Sequence, residues 1–214
     1  MKVTCKLCFK NSIDIIEDKQ MQNIYYHCNS CDFIFSSKLP TIEQEKKQYS
    51  HHNNSLESSG YVEMFEKFID TAITPYTNIA KQVLDYGSGP EPVLSTLLKK
   101  RGFNVQIYDP LYAKDETFKD KKFSTIVSTE VFEHLHSPYE TIKELVEILE
   151  NGGILSFQTM FHPENNEKFL NWWYRRDPTH VCFFSHKTIK KMEDIFNLKL
   201  LKFDDKNIAV FRKN

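Results

Sequence analysis

From residue 61 onward, segments whose apolar residues have the spacing of a helix alternate with short apolar runs typical of strands. Val62, Phe65, Phe68 and Ile69 have the three- and four-residue spacing of one helix face. Short apolar runs rich in β-branched and aromatic residues have the length and composition of strands. These runs predict strands over 83–86, 105–108, 123–128, 154–160, 198–203 and 208–211, and amphipathic segments predict helices beginning near residues 91, 138 and 186. The alternation favours an α/β fold, with a mainly parallel sheet covered by helices on both faces.

The second and third predicted strands are unusually close together. Thirteen residues lie between Asp109 and Phe123, whereas a parallel crossover alone takes about a dozen residues or more. A crossover helix followed by a further strand does not fit there. We therefore expect this part of the sheet to be shortened or irregular.

The first 40 residues carry a different pattern, which is built on cysteine. Two Cys-x-x-Cys pairs, Cys5 with Cys8 and Cys28 with Cys31, are separated by 19 residues, a spacing typical of zinc ribbons. Four thiolates close a tetrahedral structural site. Because so small a unit needs metal to fold, we expect structural Zn²⁺. A redox pair and disulfides are the alternatives.

The patterns divide the chain into a zinc ribbon over 1–40, a linker over 41–60 and an α/β domain over 61–214. Thr41 and Gln44 have the spacing that caps a short polar helix, and the Ser- and Asn-rich stretch 51–60 is typical of a loop. We expect the ribbon to have its own core, separate from that of the sheet.

Composition and charge exclude several classes of function. The 214 residues are 40% hydrophobic and carry a net charge of −1, which allows a real core and gives no overall attraction to nucleic acid. No apolar run approaches the roughly 20 residues of a membrane span. The first residues lack the apolar stretch of a signal peptide, so we expect a cytoplasmic protein without a membrane partner. Lysines and acids balance in the ribbon, and its metal thiolates add negative charge, which disfavours RNA.

One segment indicates a nucleoside ligand. The strand over 83–86 runs into a turn with Gly87 and Gly89, and the next strand ends in Asp109. Glycine lets the backbone approach a ligand at positive φ, and an acid about 20 residues on can bind both ribose hydroxyls. A dinucleotide fold is the alternative. It needs glycine where this chain has Glu91, because a carboxylate repels the pyrophosphate at a helix N-terminus.

In their order and spacing, these motifs resemble the bacterial zinc-ribbon-headed class I S-adenosylmethionine-dependent methyltransferases, over nearly the whole chain. The matching segments are residues 83–89, Asp109, 129–135, 151–155 and the aromatic stretch 172–185. The resemblance implies a Rossmann-like methyltransferase sheet preceded by a small zinc ribbon. It also implies that S-adenosylmethionine is the cofactor and that its binding residues are Asp85, Gly87, Gly89, Asp109 and Glu130.

Glu91 departs from the pattern of this family, which has a third glycine there. In the family, the loop faces the amino acid end of the cofactor. A glutamate there can turn outward or meet the cofactor's ammonium, or it can clash with the cofactor's carboxylate and indicate a decayed site. We expect the tolerated arrangement, because the acids and glycines around it are intact.

His180 and Asp177 are the candidate catalytic residues. Methyl transfer from a sulfonium needs an aligned nucleophile and, where the acceptor carries a proton, a base with a pKa near neutral. Asp177 precedes His180 by three residues, with Pro178 stiffening the turn, so the acid is near enough in sequence to orient the imidazole. The alternative is a histidine bonded to backbone under an aromatic lid. His134 is expected to brace its loop.

The aromatic stretch carries two further expectations. Trp172 and Trp173 are expected to wall or cover a pocket for a small ligand. Arg175 and Arg176 are expected either to bind an anionic group or to form surface ion pairs.

The expected function is methyl transfer from S-adenosylmethionine to a small or carrier-linked metabolite. One alternative is an RNA methyltransferase that uses the ribbon as a docking module; the other is a non-enzymatic ribbon protein with a decayed cofactor site. The acidic ribbon argues against the first, and the intact acids argue against the second. The sequence leaves the oligomeric state open.

Overall fold

The structure, a computed structural model, describes residues 3–49, 57–77 and 82–214. Within these ranges, the strands are β1 (Ile13–Asp18), β2 (Asn23–Cys28), β3 (Ile34–Ser36), β4 (Gln82–Tyr86), β5 (Asn104–Tyr108), β6 (Phe123–Thr129), β7 (Leu149–Gln158), β8 (Cys182–Phe183), β9 (Leu198–Phe203) and β10 (Ile208–Lys213). The α-helices are α1 (Ile42–Tyr49), α2 (Ser59–Phe68), α3 (Val93–Lys100), α4 (Pro138–Ile148), α5 (Asn166–Asn171) and α6 (His186–Phe196). All six strands predicted beyond residue 61 are present.

The larger sheet has six strands in the order β5-β4-β6-β7-β10-β9. β4 pairs in parallel with β5 and β6, and β6 pairs in parallel with β7. β10 is antiparallel to both β7 and β9, so the predicted closing hairpin is confirmed. Because four strands run in parallel, their carboxyl ends meet along one edge of the sheet, which is where ligands bind in open α/β sheets.

β5 is an edge strand of the larger sheet. This agrees with the prediction that the short connection after Asp109 leaves no room for a further strand. The chain between β5 and β6 contains a five-residue 3-10 helix, Glu116–Asp120, whose Phe118 is fully buried and packs on Tyr108 with ring centroids 4.5 Å apart. Among the described residues, no strand pairs with the outer side of β5. The expected shortened sheet is confirmed.

Helices cover both faces of this sheet, because alternate residues of a strand point to opposite sides. Leu84 and Ile126 lie in one core with residues of α4 and α6. Val83 and Val127 lie in a second core with residues of α2 and α3. The predicted layer arrangement, with helices on both faces, is therefore confirmed.

The N-terminal head, residues 3–36, has a sheet of its own that the C-terminal half completes. The strand order is β1-β2-β3-β8, and Phe35 of β3 pairs with Cys182 of β8. Phe33 packs on Phe184 with ring centroids 5.1 Å apart, and both belong to the same core as Leu84 of the larger sheet. The expectation of two separate cores is wrong, because the aromatic residues after the second cysteine pair continue into the core of the sheet.

Polar contacts join the same two parts of the molecule. The buried guanidinium of Arg175 forms an ion pair with the buried carboxylate of Asp18, at the end of β1. The hydroxyl of Thr188 donates to the carbonyl of Cys31 over 2.9 Å. Separating the two would leave each buried charge without its counter-ion, which is costly. The ion pair with Asp18 therefore fixes the position of the segment that carries Arg175.

The predicted linker over 41–60 begins with α1, which is capped as its sequence predicted. The N–H of Thr41 donates to Oε1 of Gln44 over 2.8 Å, and the N–H of Gln44 donates to Oγ1 of Thr41 over 3.3 Å. Residues 50–56, most of the predicted loop, lie outside the described residues, and the domain boundaries stay predictions. In the described part of the chain, no helix combines the length and the apolar character needed to cross a membrane.

Candidate functional site

Four cysteine thiols converge in the head. The Sγ atoms of Cys5 and Cys31 are 3.7 Å apart, and those of Cys8 and Cys28 are 3.6 Å apart. All four lie within 4.8 Å of one another. Tetrahedral zinc about 2.3 Å from each sulfur requires sulfur–sulfur separations of about 3.8 Å. The four predicted ligands are therefore brought together and fit a structural zinc ion.

The two turns that carry these thiols repeat one backbone geometry. The residue after each second cysteine, Phe9 or Asp32, has positive φ, 58° and 61°. Its N–H donates to the carbonyl of the first cysteine, over 3.1 Å to Cys5 and 2.7 Å to Cys28. This repeat aims both thiols of each turn at one point, as a metal-binding turn must.

At the carboxyl edge of the larger sheet, the glycine loop follows β4. The φ angles of Gly87 and Gly89 are +83° and +70°, which glycine adopts without strain. A Cβ atom at Gly87 would lie 2.2 Å from Cγ2 of Val131. Residue 87 therefore has to be glycine for the loop to pack against the segment after β6.

Asp109 lies beside this loop at the end of β5. Its Oδ2 accepts the N–H of Gly89 over 3.0 Å. Its Oδ1 accepts the N–H groups of Leu111 and Tyr112 over 2.8 and 3.0 Å. The carboxylate, nearly buried, is thus held by backbone donors at the edge where the sequence predicted it.

Asp85 is more deeply buried than Asp109 and contacts α3. Its Oδ2 accepts the hydroxyl of Ser95 over 2.6 Å, and burial raises its pKa to about 6. This contact ties the end of β4 to the helix that follows the glycine loop. Asp85 therefore supports the glycine loop through its contact with α3. A direct contact between Asp85 and the cofactor stays a prediction.

Glu130 begins the loop after β6 with an unfavourable backbone conformation. Its φ is +53°, which costs a residue other than glycine about 1–3 kcal/mol. Gln158 of β7 holds it in place, since its carbonyl accepts the N–H of Glu130 over 2.9 Å and its Nε2 donates to Oε1 over 3.3 Å. Strain of this kind is concentrated at functional sites.

Tyr174 connects Glu130 to a second buried acid, Glu133. Its hydroxyl lies 3.0 Å from Oε2 of Glu130 and 2.5 Å from Oε1 of Glu133. A phenol has one proton to donate, so satisfying both contacts requires a protonated carboxyl. Burial raises the pKa of Glu130 to about 8 and the pKa of Glu133 to about 7. The three side chains can therefore share a proton near neutral pH.

Two histidines lie next to Glu133. Nε2 of His134 is 3.8 Å from Oε1 of Glu133, and the rings of His134 and His180 are 4.7 Å apart. Nδ1 of His134 lies 3.0 Å from the carbonyl of Thr179, and Nδ1 of His180 lies 2.7 Å from that of Tyr174. The structure thus places the predicted residue His180 beside the buried acids.

Asp177 shapes the turn before His180. Its carboxylate accepts the N–H and the hydroxyl of Thr179 over 2.8 and 2.5 Å, and Nε2 of Gln48 over 2.8 Å. Burial opposes ionisation of Asp177, but the hydrogen bonds from Thr179 and Gln48, together with the nearby imidazole of His180, lower its pKa. The contact that orients Nδ1 of His180 is the carbonyl of Tyr174. A catalytic role for Asp177 stays a prediction.

The aromatic stretch differs in part from expectation. Arg175 is 1% exposed and paired with Asp18, so the expectations that it binds an anionic ligand or forms a surface ion pair are both wrong. Arg176 is exposed. Trp172 lines a cavity of about 310 Å³, as expected for a pocket wall, whereas Trp173 is 65% exposed.

Three residues of the site were not assigned from the sequence. Glu133 had a usable signal, because it lies with Glu130 in the segment 129–135, which follows β6 and carries the family resemblance. Tyr174 and Gln158 reach the site from other segments of the chain, and nothing in their neighbouring residues indicated the contact.

Glu91, the departure from the family pattern, is exposed, which agrees with one of the two tolerated arrangements, a side chain turned outward. Its effect on the cofactor stays a prediction. A cavity of about 370 Å³ near Gly152 lies at the opposite edge of the sheet, among residues 75–77, Ser124 at the start of β6 and residues 152–154 early in β7. It contains none of the candidate residues, so cavity size alone does not identify the site.

Comparison with known proteins gives a family and a fold. The family model described as a methyltransferase domain matches residues 52–202. A comparison with curated protein sequences finds no significant match.

Similar solved structures include the magnesium protoporphyrin IX methyltransferase of Synechocystis PCC 6803 with bound S-adenosylmethionine, with a TM-score of 0.52 and 12% identity over 81% of this chain and 91% of that one. Mitomycin 7-O-methyltransferase has a TM-score of 0.55 and 9% identity, and the match covers 79% of this chain and 60% of that one. The [4+2]-cyclase SpnF has a TM-score of 0.50 and 11% identity, and the match covers 76% of this chain and 84% of that one. Identities this low show the fold alone, and the cyclase demonstrates that the fold does not fix the reaction.

Proposed function

The chain belongs to the family of methyltransferase domains, and we propose that it transfers a methyl group from S-adenosylmethionine to a small or carrier-linked metabolite. The observation that carries this proposal is the hydrogen bond from the N–H of Gly89 to Asp109. It joins the glycine loop to the acid after β5, the two motifs with which such sheets hold a nucleoside.

Asp85, Gly87, Gly89, Asp109 and Glu130 are proposed to hold the cofactor. The two glycines allow close approach of the backbone, and the carboxylate of Asp109 suits the ribose hydroxyls, which would donate to it. Asp85 supports the loop through α3. The carboxylate of Glu130 lies on the neighbouring loop after β6, where it can meet the amino acid end.

His180 is proposed to orient or deprotonate the acceptor, with Asp177 fixing the turn that presents it. The cofactor brings the electrophilic methyl group, so the protein has to align the nucleophile and manage its proton. Nδ1–H of His180 donates to the carbonyl of Tyr174, which makes Nε2 the basic nitrogen. Glu133 lies close by with a pKa of about 7 and is suited to receive a proton.

The charges around the site favour a small acceptor over a nucleic acid. Asp109 places a carboxylate at the crevice, and an ionised acid repels a phosphate backbone. The head buries Phe33 and Phe35 in the shared core, which removes two aromatic rings from any docking surface. RNA methylation and a decayed cofactor site remain the alternatives that the experiments have to separate.

Zn²⁺ bound by Cys5, Cys8, Cys28 and Cys31 is proposed as the second cofactor, with a structural role. Elemental analysis of freshly purified, unchelated protein should give one zinc ion per chain. Protein without metal would contradict this proposal. The cytoplasmic location is proposed from cysteine usage, because four of the five cysteines have metal-ligand spacing and reducing compartments keep thiols available for metal.

Calorimetry with S-adenosylmethionine and with its demethylated product tests the cofactor. Binding of both is expected, and no binding at millimolar ligand would exclude methyl transfer to any acceptor. Transfer of a labelled methyl group to metabolite extract, to carrier proteins or to RNA then identifies the acceptor class. Label in RNA alone would replace the proposed acceptor.

A further inference from the structure

Glu133, His134 and His180 form a compact set of metal-ligand side chains at the crevice. One ligand atom from each lies within 4.8 Å of the others. Nitrogen and oxygen ligands about 2.0–2.2 Å from a shared ion are separated by roughly 3–3.5 Å. Nε2 of His134 and Oε1 of Glu133 are 3.8 Å apart, so a movement of less than an ångström brings them to coordinating distance.

Both histidines have the tautomer that a metal site requires. Each donates Nδ1–H to a backbone carbonyl, that of Thr179 for His134 and that of Tyr174 for His180. The lone pair of each ring is thereby placed on Nε2. A carbonyl on the second ring nitrogen is the usual support of a metal-bound imidazole, because it fixes ring orientation and raises basicity.

The carboxylate between these histidines is incompletely satisfied. Glu133 is fully buried, and its Oε2 has no hydrogen bond of normal geometry among the described residues. The hydroxyl of Thr159 is the nearest candidate partner and lowers the pKa of Glu133 as a hydrogen-bond donor would, but the two groups do not reach normal hydrogen-bond geometry. A buried polar atom without a partner is rare and calls for an explanation such as an ion or water.

We propose that Glu133, His134 and His180 bind one divalent cation of the Mn²⁺, Fe²⁺ or Zn²⁺ type. Two imidazoles and one carboxylate suit these borderline ions better than Mg²⁺ or Ca²⁺, which prefer oxygen ligands. Three protein ligands leave coordination positions for water or a substrate oxygen, unlike the closed site of four thiolates in the head.

This inference deepens the proposed function and rests on it. A cation at this position would bind an oxygen of the methyl acceptor, so the substrate class is a metabolite with a hydroxyl or carbonyl oxygen near the methylated atom. His180 would then orient the acceptor through the cation, and would not act as the base itself.

The test is Mn²⁺ binding to the full chain, with the head already loaded with zinc, followed by calorimetry and electron paramagnetic resonance. One Mn²⁺ per chain is expected, with nitrogen hyperfine coupling from the two imidazoles. His180→Gln should weaken binding by roughly 100-fold or more, while His186→Gln, which changes a histidine outside the cluster, should leave it unchanged. Glu133→Gln supplies a second ligand variant if the first is poorly folded.

Two outcomes would overturn the proposal: no Mn²⁺ site in the wild-type chain at millimolar metal, or equal Mn²⁺ affinity in wild type and His180→Gln. Binding of S-adenosylmethionine is measured on the same samples. If the cofactor binds and no cation does, the proposed methyl transfer stands and His180 returns to the role of direct base. If neither binds, the proposed function fails as well.

Discussion

The thiol cluster of the head and the Glu133–His134–His180 cluster of the crevice are assembled in different ways. The thiols lie on two turns at the ends of one hairpin, and the spacing of Cys5, Cys8, Cys28 and Cys31 predicts their meeting. The crevice cluster joins a loop after β6 to a segment before β8, which are brought together by tertiary structure alone. Local spacing therefore predicts the first cluster, while the second becomes visible only in the fold.

Their donor atoms also suit different tasks. Four soft thiolates enclose an ion completely and contribute stability. Two imidazoles and a carboxylate, with the proton-sharing acids Glu130 and Glu133 beside them, leave open positions for chemistry. The comparison assigns stability to the head and reactivity to the crevice. Asp18 and Arg175 connect the two regions, so each variant below also tests how far one region depends on the other.

Cys31→Ser should have the largest effect. It removes a zinc ligand from a site type whose metal contributes about 10–16 kcal/mol in isolated zinc peptides. Zinc should be lost, and the whole chain should unfold in one transition at much lower temperature, because Phe33 and Phe35 belong to the shared core. Metal analysis and thermal unfolding measure this. Cys182→Ala, outside the cluster, should retain zinc. Wild-type cofactor affinity with an unfolded head would show independent cores.

Asp18→Asn should have the second largest effect. It should lower the free energy of unfolding by about 3–5 kcal/mol, because the charge of Arg175 stays buried without its counter-ion. Urea denaturation measures the change. Asp14→Asn, an exposed acid of the same strand, is the matched control and should stay within about 0.5 kcal/mol of wild type. Similar values for the two variants would mean that the ion pair does not connect the regions.

The stability of the chain should fall as pH rises through neutrality. Glu130 and Glu133 have pKa values of about 8 and about 7 when folded, against an ordinary 4.5. The folded state therefore binds protons that the unfolded state has released, and raising the pH removes this stabilisation. With one zinc ion per chain, enough to fill the thiol site only, the unfolding free energy should drop by roughly 3–4 kcal/mol between about pH 6 and about pH 8.

Glu133→Gln should reduce this pH slope without abolishing it, because burial still raises the pKa of Glu130, whereas Glu43→Gln, on the exposed surface of α1, should keep it. Urea denaturation of both variants at the two pH values measures the difference. An unchanged slope in Glu133→Gln would mean that the acids of the crevice do not share a proton.

Asp109→Ala should weaken S-adenosylmethionine binding by about 1.5–3 kcal/mol, through loss of charge-assisted hydrogen bonds to the ribose and of the bond to Gly89. Calorimetry measures this, with Asp120→Ala at the exposed end of the 3-10 helix as control. Unchanged affinity in Asp109→Ala would mean that the cofactor does not bind at the carboxyl end of β5.

Glu91→Gly should have the smallest effect, with cofactor affinity within about threefold of wild type, or roughly 0.7 kcal/mol, because the side chain is exposed. The same calorimetry applies. A gain of tenfold or more would show that Glu91 impairs the site and would favour the decayed-site alternative.

Much of the fold was predictable, because the information is local. The strands after residue 61, the shortened connection after Asp109 and the cap formed by Thr41 and Gln44 all follow from periodicity, counting and spacing. Asp109 and Gly89 meet because two parallel neighbours end at the same edge. The thiol cluster follows from spacing alone.

The remaining contacts depend on packing between distant segments. Arg175 looked like a ligand-binding or surface residue, since its partner Asp18 lies in the head. Tyr174 was not assigned to the site, because its contacts with Glu130 and Glu133 arise only when the aromatic stretch folds over the loop after β6. The separate core expected for the head failed for the same reason, since β8 could not be assigned to it from sequence.

The pairing of β3 with β8 affects the order in which the molecule can fold as it is synthesised. The head leaves the ribosome before the larger sheet, and segments made earlier generally fold earlier. Its sheet nevertheless stays incomplete until Cys182–Phe183 has been made, so β3 presents an unpaired edge during most of translation. Unpaired edges next to aromatic residues promote association between chains. A zinc ion bound early by the four thiols would hold the hairpin in its final shape, ready for the strand that arrives last.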